Sequence, residues 1–252
     1  MSETTTDTPA GGARAAAGRR AYRARIERVF DHNGDTRSLG LKIIDGGALS
    51  FAAGQFISIT IPLAEGQRVR PYTIASDPAD GGVAEIEICF NRVADGRGVD
   101  YLFGLGIGDP VSFTGPFGIF CLDHVPPIET VFIAEGTAIA PVRPMLKRVY
   151  GNGGDGGAPI HLLYAARDAE HILYRAELEA LAARGLDFAT LVAPADRLYE
   201  RIAAEVARRW IEADSNRRRL FYACGVGKGV IALRDILRGA GYDRRAVHYE
   251  RW

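Results

Sequence analysis

Residues 70–76 read Arg70-Pro71-Tyr72-Thr73-Ile74-Ala75-Ser76, close behind an apolar–polar alternation at 55–61. Strand periodicity puts Arg70, Tyr72 and Ile74 on one face and Thr73 on the other. A cation, an aromatic ring and a hydroxyl are thereby presented within one short segment. Such a set suits a flavin: a guanidinium can fork onto a pyrophosphate, a phenol ring can stack on an isoalloxazine, and a hydroxyl can sit beside its reactive nitrogen. The same residues also describe an ordinary edge strand in which Pro71 removes a ladder donor. The flanking sequence separates the two readings.

Around this stretch, segments 22–30, 39–43, 55–61, 69–75, 83–90 and 110–114 read as short strands. They are separated by turn formers such as Asp31-His32-Asn33-Gly34, Asp45-Gly46-Gly47 and Asp80-Gly81-Gly82. Closely spaced strands of this kind predict a small antiparallel barrel. Between the last two lies Gly96-Arg97-Gly98-Val99-Asp100-Tyr101-Leu102-Phe103, glycines leading into a short helix. Backbone N–H groups there can hold a phosphate, and a plain loop-to-helix junction fits the pattern as well.

After Pro126-Pro127 the rhythm changes. Apolar runs at 130–134, 161–166, 188–192, 220–223 and 246–249 alternate with helical patterns, one leading from the 136–141 turn to Tyr150 and others at about 173–184, 198–211 and 228–239, which predicts a parallel sheet covered by helices on both faces. Ligands of such sheets bind beyond the carboxyl ends of the strands. Two turns qualify, 135–141 and 223–229, and neither is GxGxxG. The expected organisation is a disordered tail at 1–18, a barrel domain at 19–125 and an α/β domain at 126–252.

The chain of 252 residues is 47% hydrophobic with a formal net charge of +0, which argues against bulk nucleic-acid binding. It carries no apolar stretch of membrane-spanning length and no apolar leader, so a cytoplasmic protein is expected. Cys89, Cys121 and Cys224 are too widely spaced for zinc or iron–sulfur ligation, and His161 and His171 lack metal-ligand spacing. No metal site is expected, and any one-electron centre belongs to another molecule. Arg14, Arg19, Arg20, Arg23, Arg25 and Arg28 make the N-terminal end locally basic: a solvated face, or a means of steering an acidic partner.

With these pieces in order, the chain resembles the ferredoxin–NADP reductase family over about residues 20–252. Arg70-x-Tyr72-Thr73 is similar to the family's Arg-x-Tyr-Ser/Thr flavin signature, and 96–102 to its pyrophosphate turn. Gly115-Pro116-Phe117-Gly118 resembles the end of its barrel, and Gly136-Thr137-Ala138-Ile139-Ala140-Pro141 its nucleotide turn. Ala165-Ala166-Arg167, Tyr222-x-Cys224-Gly225 and the final Glu250-Arg251-Trp252 complete the series. The resemblance implies FAD held by Arg70, Pro71, Tyr72, Thr73, Gly96, Arg97, Gly98 and Val99, with Tyr72 on one flavin face and Trp252 on the other. It implies NADP or NAD held by Gly136, Thr137, Ala138, Arg167, Cys224 and Gly225. Thr73, Cys224, Glu250 and Trp252 are the implied catalytic set, with Trp252 moving aside for the nicotinamide.

Three departures matter. Ala138 replaces a glycine, adding a methyl where positive φ or close phosphate approach would favour none. Val99 replaces a serine in the pyrophosphate turn. Ala193-Pro194-Ala195 stands where NADP-specific members often place Ser-Arg, which leaves both nucleotides open. The implied activity is hydride transfer between NAD(P)H and FAD and single-electron exchange with a separate ferredoxin or flavodoxin. Alternatives are a flavin-binding relay subunit with weak nicotinamide use and a non-redox nucleotide-binding scaffold.

Overall fold

The structure is a computed structural model describing residues 20–64, 66–93, 96–151, 157–213 and 215–252. The tail expected at 1–18, with Arg14 and Arg19, lies outside them. The first half forms six antiparallel strands: β1 (Arg20–Asp31), β2 (Thr36–Asp45), β3 (Phe56–Leu63), β4 (Gly66–Thr73), β5 (Glu85–Asn91) and β6 (Pro110–Phe117), in the order β4-β3-β6-β1-β2-β5. Alternation drives their packing: in β1, Tyr22, Ala24 and Ile26 are buried while Arg23 and Arg25 face solvent. The sheet curls until its two ends meet. An antiparallel bridge joins Ile74 to Ile88, and Ala75 N–H donates to Glu87 O at 2.7 Å. Helix α1 (Arg97–Phe103) packs on this core through buried Leu102.

The strand expected at 69–75 begins earlier, at Gly66, and ends at Thr73. Ile74 N–H still donates to Gln55 O at 3.0 Å, beside the start of β3, while Ile74 and Ala75 also pair with β5 and close the curl. Pro71 lies opposite Ser58 on an edge strand, where a missing N–H costs least.

The second half comprises β7 (Thr130–Glu135), α2 (Ile139–Tyr150), β8 (Ile160–Ala166), α3 (Arg175–Ala182), β9 (Asp187–Val192), α4 (Leu198–Ala207), β10 (Leu220–Gly225), α5 (Gly229–Gly239) and β11 (Val247–Arg251). The strands run parallel in the order β11-β10-β7-β8-β9. Helices α2 and α3 cover one face with Met145, Leu146 and Leu178; α4 and α5 cover the other with Ile202, Val206, Leu233 and Leu237. Strand order reverses between β7 and β10, which opens a crevice at their carboxyl ends.

Arg143 of α2 joins the two halves. Its Nη1 donates to Ala75 O at 2.8 Å, Nε and Nη2 each donate to a Glu177 carboxylate oxygen at 2.9 Å, and Glu87 lies at 3.3 Å. The guanidinium also lies over the Tyr174 ring, at 4.3 Å. Tyr174, held at φ 53°, donates its hydroxyl proton to Glu87 at 2.7 Å.

Candidate functional site

A cleft of about 890 Å³ opens beside β4, lined by Arg68, Arg70, Pro71, Tyr72, the 96–100 turn and Trp252. Arg70 donates to Val69 O at 3.1 Å and has no carboxylate partner among the described residues. Tyr72 is buried against Phe90, and burial pushes its phenol up to about 12, so it stays neutral. The turn presses closely on the strands: a methyl on Gly98 would lie 3.0 Å from Ile61 Cδ1, and one on Gly96 would lie 2.9 Å from Val93 O. No side chain caps the N-terminus of α1, and Asp100 in its first turn is paired with Arg92 at 2.8 Å. Behind Tyr72, Thr73 is 1% exposed and its Oγ1 finds no hydrogen-bond partner among the described residues.

Trp252 reaches this cleft from the α/β unit. Its N–H donates to Gly225 O at 3.1 Å and its carbonyl accepts from Gly227 N–H at 3.3 Å. Its indole Nε1–H donates to Cys224 Sγ at 2.7 Å. Burial pushes the Cys224 thiol well up, so this sulfur anchors the indole as a neutral acceptor. Glu250 stands opposite Cys224 in the β10–β11 pair, with Oε2 unpartnered among the described residues and its carboxyl raised by burial to about 7.

A second, smaller cleft of about 160 Å³ lies at the carboxyl ends of β7 and β8, lined among others by Asn91, Glu135, Gly136, Thr137, Arg167 and Ala195. Thr137 Oγ1 donates to Asn91 Oδ1 at 2.9 Å, tying the turn to the barrel. Gly136 has φ +54°, whereas Ala138 is right-handed at φ −68° and buried. The Ala138 methyl therefore carries no backbone strain, contrary to the concern raised by the sequence. Arg167 is paired with Asp35, and its Nε lies 3.6 Å from Asp168. Glu135 Oε2 accepts from Val226 N–H at 3.2 Å. The Tyr199 ring packs so tightly on Gly229 that a methyl there would lie 2.1 Å from it, and its hydroxyl oxygen would lie 2.2 Å from a methyl on Gly225.

Of the expected nucleotide residues, Gly136, Thr137 and Arg167 line the small cleft. Ala138 lies behind the turn, Cys224 beneath Trp252, and Gly225 under Tyr199. The expected flavin residues converge, with Thr73 buried just beyond the cleft wall.

Residues 24–121 match the Oxidoreductase FAD-binding domain family, and residues 132–233 match the Oxidoreductase NAD-binding domain family. Ferredoxin--NADP reductase B of Sorangium cellulosum is 32% identical over 92% of this chain and 97% of its own. The chain belongs to the ferredoxin–NADP reductase family. This reductase is also 27% identical to the toluate 1,2-dioxygenase electron transfer component of Pseudomonas putida, covering 92% of this chain and 67% of that protein. In fold it is similar to a ferredoxin NADP+ reductase from Neisseria gonorrhoeae with bound FAD and NADP, at TM-score 0.74 and 16% identity over 92% of this chain and 98% of that one.

The reductase is a flavin oxidoreductase, and the large cleft fits FAD on its chemistry: it is lined by an arginine without a carboxylate partner among the described residues, a neutral tyrosine and a glycine-bearing turn, and the orphan Thr73 hydroxyl lies buried just beyond its wall. The nucleotide cleft fits in chemistry but not in volume, since small-ligand clefts measure about 300 to 1,000 Å³. Glu135 lines it, Asp35 pairs with its Arg167, and Tyr199 packs on Gly225 and Gly229; none of the three was visible as a site residue in the sequence. Their contacts are tertiary, and no local motif marks them. Among the described residues no helix is long and apolar enough to cross a membrane, and no cluster of His, Cys, Asp and Glu suits a metal ion.

Proposed function

We propose that this reductase, divided near residue 125 into barrel and α/β units, moves a hydride between NAD(P)H and FAD. Single electrons then pass between FAD and a cytoplasmic ferredoxin or flavodoxin. The observation that carries this is the convergence of Trp252 from one unit with Arg70 and Tyr72 from the other on a single cleft. The carrier is inferred from the relatives, one named a ferredoxin–NADP reductase and another a dioxygenase electron transfer component.

Bound FAD supplies the conversion between two-electron and one-electron chemistry. Arg70 and the N–H groups of Gly96, Arg97, Gly98 and Val99 would hold its pyrophosphate, with Pro71 shaping the strand beneath. Tyr72 and Trp252 would enclose the ring system and exclude water, and the Thr73 hydroxyl would gain there the partner it lacks. Cys224 fixes the indole of Trp252. Glu250, ionising near neutral pH, holds or releases a proton beside it. Gly136, Thr137, Ala138 and Arg167 would seat the dinucleotide, with Gly225 near its nicotinamide end.

An absorbance spectrum of the purified protein, followed by anaerobic titration with NADPH and separately NADH, tests this. A flavin spectrum bleached by either nucleotide supports the reading. A flavin spectrum untouched by both favours a relay subunit, and a colourless protein that FAD cannot reconstitute overturns the cleft assignment.

A further inference from the structure

The turn between β1 and β2 meets the loop after β8 across the seam of the two units. Asn33 Nδ2 donates to Glu170 O at 3.1 Å. Asp35 Oδ2 pairs with Arg167 Nη2, and Oδ1 lies 3.0 Å from His171 Nε2. Its own turn fixes Asp35 firmly: its N–H donates to Asn33 Oδ1 at 3.1 Å, its carbonyl accepts from Arg92 N–H at 2.8 Å, and Oδ1 accepts from Thr36 Oγ1 at 2.9 Å. Burial opposes its charge, but the bonds from Arg167, His171 and Thr36 outweigh burial and hold the carboxyl below its usual range. An ionised carboxylate is thus delivered by the barrel onto a guanidinium that lines the nucleotide cleft.

We propose that Asp35 is a built-in stand-in for a nucleotide phosphate: it occupies Arg167 in the closed seam, and a phosphate of the incoming dinucleotide takes Arg167 from it. The inference rests on the nucleotide reading above. A carboxylate and a phosphate compete for the same fork of N–H donors, so binding must displace the one to seat the other. His171 eases the exchange. Its Nε2 lies 2.6 Å from Arg167 Nη2 as well as near Asp35. Nδ1 faces Asp168 Oδ1 at 2.6 Å, so a neutral ring that donates there accepts from Arg167 at Nε2, whereas the protonated ring donates from Nε2 to Asp35 and keeps it partnered when Arg167 leaves. Asp35 and Arg167 belong to different units, so occupancy of the cleft also loosens this edge of the seam while Arg143 holds the other.

The test is calorimetric titration of the FAD-loaded protein with NADP+ and with NAD+, for wild type, Asp35→Asn, Asp35→Ser, Arg167→Ala and the Asp35→Asn/Arg167→Ala pair. Asp35→Asn and Asp35→Ser should tighten binding about three- to tenfold with flavin content unchanged. Arg167→Ala should weaken binding and erase that gain, because the two residues act through one contact. A gain with both nucleotides supports displacement by the pyrophosphate, and a gain confined to NADP+ supports displacement by the 2′-phosphate. Unaltered affinity in both Asp35 variants, a full gain surviving Arg167→Ala, or no measurable binding in any variant overturns the proposal. Failure of the functional reading looks different: neither nucleotide then bleaches the flavin in wild type, whatever Asp35 does to affinity.

Discussion

Thr73 combines near-complete burial with a hydroxyl that has no protein partner. An unpaired buried hydroxyl costs about 1–3 kcal/mol, a cost that FAD bound as proposed would relieve by pairing with it. Thr73→Val should therefore raise the stability of the flavin-free protein by about 1 kcal/mol and slow flavin reduction about tenfold. Thermal melts and anaerobic stopped-flow read the two effects. Glu250 is a second orphan, and here the sign depends on pH. Burial raises its carboxyl from an ordinary 4.5 to about 7 in the folded state. Folding therefore favours the protonated form, and that contribution is complete below about 4.5 and lost as pH rises through about 7. Urea midpoints followed from acid to mildly alkaline pH should fall across that window in wild type and stay flatter in Glu250→Gln. Both residues were named from the sequence, because a short motif marked each one. Asp35 was not, since its partner Arg167 lies 132 residues away.

At the level of elements, Arg143 at the start of α2 binds the carbonyl just beyond β4, the Glu87 side chain of β5 and the Glu177 side chain of α3. Removing it strands Glu87 without its cation in a largely buried place. Arg143→Ala should cost about 3–5 kcal/mol, and Arg143→Lys should recover only part, because a single ammonium cannot reproduce the fork. Denaturant unfolding with flavin release as a second probe checks this: in Arg143→Ala the two signals should separate. The elements themselves were largely legible. Alternating Tyr22, Ala24 and Ile26 announced β1, and the apolar run before Gly136 announced β7. The end of β4 was misplaced because Ile74 takes its partner, Ile88, from β5 rather than from its neighbour in sequence. Ala138 looked strained because a motif position was read for its glycine, whereas the positive φ sits two residues earlier at Gly136.

For the molecule as a whole, one cleft is built by the barrel and closed by a residue of the α/β unit. Trp252→Ala should speed flavin reduction by nicotinamide and narrow the difference between NADPH and NADH; stopped-flow traces that superimpose on wild type for both would remove the gating role. The same arrangement furnishes an internal optical gauge. The chain has two tryptophans. Trp210 is 3% exposed, held in the core from within a π-helical turn, whereas Trp252 is 42% exposed and lines the large cleft. With FAD bound as proposed, Trp252 emission should be quenched by the adjacent chromophore more strongly than that of the core-buried Trp210. A rise in tryptophan emission on nicotinamide binding would then report the Trp252 indole leaving its place on Cys224, in the native protein and without any added label.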